Sequence, residues 1–142
     1  MVTFHFNGVL IGLRERARLK LFIESIFKTY KTPLADLAYI FCTDNFLLQI
    51  NRDFLKHDYY TDIITFDLSE SSSIVGEVYI SIDRVRDNAR DNHTSLNEEL
   101  HRVIFHGALH LCGLKDKKPD DKLKMTTAEN KMLKKYLFHV KH

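Results

Sequence analysis

Four short runs of β-branched and aromatic residues alternate with longer segments of helical periodicity, and this order constrains the fold more than any other feature. The runs cover residues 1–6, 37–42, 62–68 and 74–81, and each has the length of a strand. Apolar residues at helical spacing predict helices over 13–30, 43–55, from 82 onward, from 94 or 95 to 112, and over 120–138. The order β-α-β-α-β-β-α-α-α indicates a four-stranded sheet with helices packed on it, in an α+β or α/β domain.

Residues that favour helix ends lie at several of these boundaries. Thr43, Ser81 and either Thr94 or Ser95 can act as N-caps, because their hydroxyl groups accept hydrogen bonds from the first amides of a helix. Gly113 lies where the end of a helix prefers a residue in the left-handed conformation. The predicted helix boundaries therefore have local chemical support.

The chain length and composition are those of one globular domain over residues 1–142. Of the 142 residues, 44% are hydrophobic and 28% are charged, which excludes a disordered chain. The longest apolar stretches are far shorter than the ~20 residues that span a bilayer, and we expect no membrane partner. The first residues do not resemble a signal peptide. Two cysteines, Cys42 and Cys112, are too few for a disulfide framework, so we expect a reduced, cytoplasmic setting.

Residues 106–116, HGALHLCGLKD, contain a candidate metal site. His106 and His110 lie four residues apart on a predicted helix, so both rings share one face, and imidazole is a good zinc ligand. Gly113 can reverse the chain and return Asp116 to the same metal. The spacing His-x3-His-x2-Gly-x2-Asp matches that of the metzincin ligands, with Asp in place of the third His. Three protein ligands leave a fourth position for water, which is the catalytic arrangement.

Two residues of this segment bear on the kind of reaction. Gly107 stands where zincin proteases have their general base Glu, which disfavours peptide hydrolysis by that mechanism. Gly within a helix costs about 1 kcal/mol relative to Ala, so we expect substrate or another backbone to pass close to it. Asp116 has a second interpretation, as a cap of the last helix. Two histidines and a carboxylate also form a ligand set for iron.

The charge distribution favours an anionic substrate next to this segment. Residues 115–142 carry nine Lys and four acidic residues, whereas the rest of the chain has a formal charge of −3. Lys115, Lys117 and Lys118 are therefore candidate contacts for a phosphate backbone. The alternative interpretation is a solvated helix face that keeps the protein soluble.

The same residues resemble the YbeY family of bacterial endoribonucleases, whose metal motif is HGxLHLxGYDH. The chain matches that motif through Gly113 without a gap, and the third ligand position falls on Asp116. Residues 61–68, TDIITFDL, are similar to the TDVLSFP strand of the family, and residues 76–80, GEVYI, to its GDIVI strand.

The resemblance implies a single-domain cytoplasmic enzyme of the α+β class with a mixed four-stranded sheet. It implies one zinc per subunit at His106, His110 and Asp116, on a central helix and the turn that follows. It also implies cleavage of single-stranded RNA, in 3′-end maturation of small-subunit rRNA and in ribosome quality control. RNA and the small ribosomal subunit are thus the expected partners.

One departure concerns a phosphate contact. The family has an Arg at the position of Leu55. Because Arg is a natural phosphate ligand, its replacement by Leu puts the strength of the catalytic activity in doubt. Arg52, Lys56 and His57 are candidates to replace it.

The general base is unassigned. The candidates are Glu77 and Asp67, which lie near strand ends that could face the site; surface solvation or capping is the alternative for both.

Two other functions remain open at this stage. One is a zinc hydrolase of another substrate class, a peptidase or amidase, against which Gly107 argues. The other is a zinc-containing ribosome assembly factor without catalytic activity, which the loss of Arg at Leu55 keeps open.

Overall fold

A computed structural model describes residues 1–137, and the predicted order of strands and helices is confirmed. The strands are β1 (Val2–Phe6), β2 (Leu34–Cys42), β3 (Ile63–Asp67) and β4 (Ile74–Ser81). The helices are α1 (Arg16–Thr29), α2 (Asp44–Leu55), α3 (Ile82–Asp91), α4 (Leu96–Leu111) and α5 (Pro119–Tyr136). The predicted end of the last helix at residue 138 lies outside the described residues.

Two boundaries differ from the prediction for identifiable reasons. Helix α1 begins at Arg16 and not at residue 13, because Glu15 has a φ of 50° and so lies in the left-handed region. Strand β2 begins three residues earlier than predicted, at Leu34, whose partner in the ladder is Ile74. Backbone pairing with β4 thus extends β2 beyond its apolar run.

The four strands form one mixed sheet in the order β1-β2-β4-β3. Strands β1, β2 and β4 are parallel, and β3 pairs antiparallel with β4 at the edge. The mixed four-stranded sheet with helices on it confirms the predicted α+β class.

Helices cover both faces of the sheet, and the main hydrophobic core lies on the face that α4 covers. This core contains the buried side chains of α1, α4 and α5 together with those of the strands, among them Tyr39, whose hydroxyl donates to the Ile104 carbonyl at 2.8 Å. A smaller cluster, in which Leu47 of α2 packs on Ile64 of β3, fills the other face. Within residues 1–137, the helices lack the combination of length and apolar character that a bilayer crossing requires.

Three of the predicted N-caps are present. The hydroxyl oxygens of Thr43, Ser81 and Ser95 accept hydrogen bonds from the first-turn amides of α2, α3 and α4, at 3.1, 3.2 and 3.0 Å. Ser95, and not Thr94, is therefore the cap of α4. Gly113 has the predicted left-handed conformation, with a φ of 105°, directly after the C-cap of α4.

Gly107 lies where α4 packs closely on the sheet. A Cβ at this position would stand 2.9 Å from Val78 Cγ1 and 3.2 Å from Ile63 Cδ1. The close neighbours are thus side chains of β4 and β3, which corrects the expectation that substrate or another backbone passes there.

Candidate metal centre

Helix α4 carries both predicted histidine ligands near its C-terminal end. The side chain of His106 is 20% exposed, because α5 covers part of the helix face on which it lies. His110 follows one turn later, in the last turn of α4, and is exposed. The i, i+4 spacing places the two rings on the same side of the helix.

The turn after α4 brings Asp116 to His106. The amides of Gly113 and Leu114 donate to carbonyl groups of the last turn of α4, which reverses the chain. Asp116 Oδ2 then lies 3.1 Å from His106 Nε2. The N-cap of α5 is Lys118, so Asp116 does not occupy the capping position that was its alternative interpretation.

The two ring nitrogens of His106 face two different carboxylates. Nδ1 lies 2.6 Å from Glu129 Oε2, while Nε2 faces Asp116. A neutral imidazole has one N–H and one lone pair, and an ionised carboxylate only accepts hydrogen bonds. With the N–H on Nδ1, the Nε2 lone pair and the Asp116 oxygen require a cation between them, either a proton or a metal ion.

Both kinds of cation are compatible with the surroundings of His106. Burial alone would lower the pKa of His106, but the hydrogen bond and charge of Glu129, together with the charges of Asp116 and Asp62, raise it above its ordinary value. Two ligand atoms of a tetrahedral zinc, each about 2.0–2.1 Å from the metal, lie roughly 3.3 Å apart. The 3.1 Å between Nε2 and Oδ2 therefore fits a shared metal ion.

His110 is the predicted ligand that is not in place. Among residues 1–137, no three His, Cys, Asp or Glu side chains stand close enough together to hold a metal ion. A set of three ligands would require the exposed His110 ring to join His106 and Asp116. The structure thus brings together two of the three predicted ligands.

His106 and Asp116 open into a cavity of about 280 Å³ that contains more polar side chains than sequence reasoning identified. Its other polar members are Thr61, Asp62, Glu99, Arg102 and Glu129. Asp62 lies in the matched TDIITFDL segment, whereas Glu99, Arg102 and Glu129 lie on helices α4 and α5 without any motif.

The half-buried Asp62 lies in the wall of this cavity, directly before β3. Burial raises its pKa above the ordinary value, although the His106 charge and two backbone hydrogen bonds act in the opposite direction. Asn88 Nδ2 donates to Asp62 Oδ2 at 3.2 Å, which fixes the carboxyl group at the cavity wall.

The two acids named from sequence as candidate bases, Glu77 and Asp67, do not line this cavity. Glu77 neighbours Val78 on β4, and because Val78 faces α4, Glu77 projects from the opposite face of the sheet. There it accepts a hydrogen bond from the Tyr79 hydroxyl at 3.0 Å. Asp67 is exposed four residues beyond Ile63 on β3, about 13 Å along the strand.

The candidate RNA contacts do not line this cavity. Lys115, Lys117 and Lys118 are exposed on the turn between α4 and α5. Lys115 and Lys118 line a separate depression with the start of α5. Leu55, at the family's Arg position, ends α2 and is 39% exposed, while nearby Arg52 forms an ion pair with Asp58.

Comparisons with known proteins agree with the resemblance noted from the sequence. The family model described as Endoribonuclease YbeY matches residues 14–137. Proteins named Endoribonuclease YbeY from Cytophaga hutchinsonii and Parabacteroides distasonis are 52% and 51% identical, and each comparison covers 93% of this chain and 93% of the relative.

A solved structure supports the fold. The solution structure of TM1509 from Thermotoga maritima aligns with a TM-score of 0.61 and 24% identity, over 94% of this chain and 87% of that protein. The prediction that the chain is a hydrolase of the endoribonuclease class is confirmed by the family match. The chain belongs to the endoribonuclease YbeY family.

Proposed function

We propose that the chain is a zinc-dependent endoribonuclease that cleaves single-stranded RNA at His106, His110 and Asp116. The observation that carries this proposal is the pair His106 Nε2 and Asp116 Oδ2, 3.1 Å apart, at the mouth of a polar cavity. Two acceptor atoms at this separation attract a cation, and imidazole with carboxylate is a common donor set for zinc.

Each residue of the site has a defined task in this proposal. Bound zinc supplies Lewis-acid polarisation of a phosphoryl oxygen and activation of a water for attack. His106 and Asp116 would hold the metal, with His110 as the third ligand. For proton transfer, Asp62 is better placed than Glu77 or Asp67, because its half-buried carboxyl group lies in the wall of the same cavity.

The exposed lysines give the site its preference for a polyanion. Lys115, Lys117 and Lys118 follow α4 directly and lie on the turn that carries Asp116. A phosphate backbone attracted to this turn passes the cavity mouth, and the attraction weakens with added salt. Peptide hydrolysis is disfavoured, because Gly107 occupies the position of the zincin base and is buried against Val78.

The biological role proposed with this chemistry is maturation of the 3′ end of small-subunit rRNA, together with ribosome quality control in the cytoplasm. Membership of the family supports this role, and the small ribosomal subunit is the proposed partner.

Metal analysis and RNA cleavage on the same protein test the proposal. The protein is purified without chelator, its metals are measured by elemental analysis, and it is incubated with single-stranded RNA, with duplex RNA of the same sequence, and with casein. We expect close to one zinc per chain, and cleavage of single-stranded RNA that a chelator abolishes and added zinc restores.

Variants assign the activity to the site. His106→Ala and His110→Ala should each lose zinc and RNA cleavage, whereas His5→Ala, which removes an exposed histidine of β1, should retain both. Zinc-loaded protein without RNA cleavage would favour the assembly-factor alternative, and cleavage of casein would favour a peptidase. Iron in place of zinc would contradict the assigned metal.

A further inference from the structure

Glu129 contacts the candidate metal centre from a helix that no motif connects to it. It lies on α5, and its side chain is 10% exposed. Its Oε2 lies 2.6 Å from Nδ1 of His106, on the side of the imidazole ring away from Asp116. The contact joins two helices whose pairing the spacing of residues does not reveal.

The two oxygens of Glu129 have different partners. Arg102 Nη1 donates to Oε1 at 3.0 Å, and Arg102 Nη2 donates to Asn130 Oδ1 at 2.8 Å. The guanidinium group therefore spans two neighbouring residues of α5 and compensates the buried carboxylate charge. It leaves Oε2 to His106, where an acceptor-only atom faces a ring nitrogen.

This arrangement selects one tautomer of His106. Both carboxylates can only accept, but the Glu129 contact at 2.6 Å is shorter than the Asp116 contact at 3.1 Å. The N–H of a neutral ring therefore belongs on Nδ1, and the lone pair is then on Nε2. Nε2 is the nitrogen that faces Asp116. In metal sites, an outer carboxylate that accepts from a ligating histidine fixes both its tautomer and its orientation.

We propose that Glu129 is the positioning residue of the metal centre, which accepts from His106 Nδ1 and thereby presents the Nε2 lone pair beside Asp116, while Arg102 holds Glu129 in place. This inference rests on the proposed function, because it assigns the metal to Nε2 of His106. Glu129 acts through His106 and touches neither metal nor RNA.

A purely structural ion pair between Glu129 and Arg102 is the competing explanation, and it makes different predictions. It would couple α4 to α5, and its loss would lower the stability of the fold. It would have no effect on the protonation pattern of the His106 ring. The tautomer of His106 is therefore the measurement that separates the two explanations.

The experiment uses Glu129→Gln, with Glu99→Gln as the matched control. Glu99 lines the same cavity and is buried to a similar extent: the whole residue is 5% exposed, against 7% for the whole of Glu129. Both substitutions remove one negative charge from the cavity at nearly constant side-chain volume. Only the first replaces an acceptor-only atom next to Nδ1 by an amide group that can also donate.

Two readouts are taken on full-length protein. Nitrogen chemical shifts of the histidine rings, recorded on chelator-treated protein, report the His106 tautomer, and competition with a chelating dye reports zinc affinity. For Glu129→Gln we expect a mixture of tautomers and a roughly 10–100-fold loss of affinity, the usual cost of removing such a partner. Glu99→Gln should keep the wild-type tautomer, and it should bind zinc at least about tenfold more tightly than Glu129→Gln.

Wild-type protein keeps the inference testable if Glu129→Gln does not fold. Its chelator-treated spectrum should show a proton on Nδ1 of His106, and a ring protonated on Nε2 alone would overturn the inference. An unchanged tautomer and an affinity equal to that of Glu99→Gln would also overturn it.

The outcome is separable from that of the proposed function. Glu129-dependent zinc binding without RNA cleavage would refute the nuclease and leave the positioning role intact. RNA cleavage with zinc binding that is independent of Glu129 would refute the positioning role and leave the nuclease intact.

Discussion

In the proposed centre, Asp116 would offer an oxygen donor at the position where the family motif has a nitrogen donor. Its carboxylate is 39% exposed and faces His106, and it adds a negative charge to a cavity that already contains Asp62, Glu99 and Glu129. An oxygen ligand at about 2.0–2.2 Å is acceptable to zinc. Asp in place of the family's third His therefore adds a negative charge while it keeps a donor atom that zinc accepts.

Asp116→Ala should lower zinc affinity by at least about tenfold, because even the loss of an outer partner of a ligand commonly costs 10–100-fold. Asp116→His should retain binding, since it restores a nitrogen donor at the same position. Competition with a chelating dye measures both. Asp120→Ala is the matched control, as it removes an exposed acid from the first turn of α5. If Asp116→Ala bound zinc as tightly as Asp120→Ala, Asp116 would not be a ligand.

The residues of the site differ in how far the sequence reveals them. His106 and Asp116 were predicted together because a helix, a glycine turn and a short return are all local features, and the structure brings them to 3.1 Å. Glu129 was not predicted, because its contact depends on which face of α5 packs on α4. Helical periodicity identifies an apolar stripe but does not identify the partner of a polar residue beside it.

At the scale of elements, the packing of α4 on the sheet depends on the missing side chain at Gly107. Helix propensity alone would favour Ala there by about 1 kcal/mol. A Cβ at position 107 would lie 2.9 Å from Cγ1 of Val78. Val78 is buried and β-branched, so its side chain has little freedom to move away. Overpacking of this kind typically costs about 1–3 kcal/mol, so the packing cost exceeds the propensity gain.

Gly107→Ala should therefore lower the free energy of unfolding by about 1 kcal/mol and Tm by a few degrees. Val78→Ala removes the γ-carbons that the new Cβ would meet. In that background Gly107→Ala should cost at least about 1 kcal/mol less than it does in wild type. Urea denaturation of the four proteins of this cycle measures the coupling. Additive effects of the two substitutions would show that Val78 is not the reason for the glycine.

Element identity and caps were predictable because strands, helices and N-caps depend on residues close in sequence. Ser81 and Ser95 show this, since each hydroxyl bonds an amide three residues later. The order β1-β2-β4-β3 was not derivable in this way, because it depends on pairings such as Leu34 with Ile74, forty residues apart. The mixed sheet was expected from the family resemblance and not from periodicity.

At the scale of the whole molecule, α5 closes the core over α4 and α1 near the buried His101. The His101 ring is 3% exposed and stacks on Tyr136, with ring centroids 5.3 Å apart. Its Nδ1 donates to the Asn97 carbonyl at 2.7 Å. Arg18 of α1 lies 4.0 Å from the centroid of the Tyr136 ring and donates to the Tyr136 carbonyl at 2.6 Å. The three helices therefore meet around a ring that is best kept neutral.

The contribution of His101 to the stability of the fold should consequently decrease in mild acid. Burial lowers the pKa of His101, and the Arg18 charge adds to this, while the hydrogen bond to Asn97 opposes it in part. The unfolded chain takes up this proton near the ordinary pKa of about 6.5. Below that pH the unfolded state binds more protons than the folded state, so stability decreases until the folded-state pKa is reached.

His101→Phe removes this titration while it keeps a ring on Tyr136, and urea denaturation of chelator-treated protein between pH 7.5 and 5.5 measures the effect. Because other groups titrate alike in both proteins, the stability of wild type relative to His101→Phe should fall with decreasing pH, by at most about 1.4 kcal/mol per pH unit. His5→Phe, a change at an exposed histidine of β1, should run parallel to wild type. Parallel curves for His101→Phe as well would mean that protonation of His101 does not oppose the packing of α5.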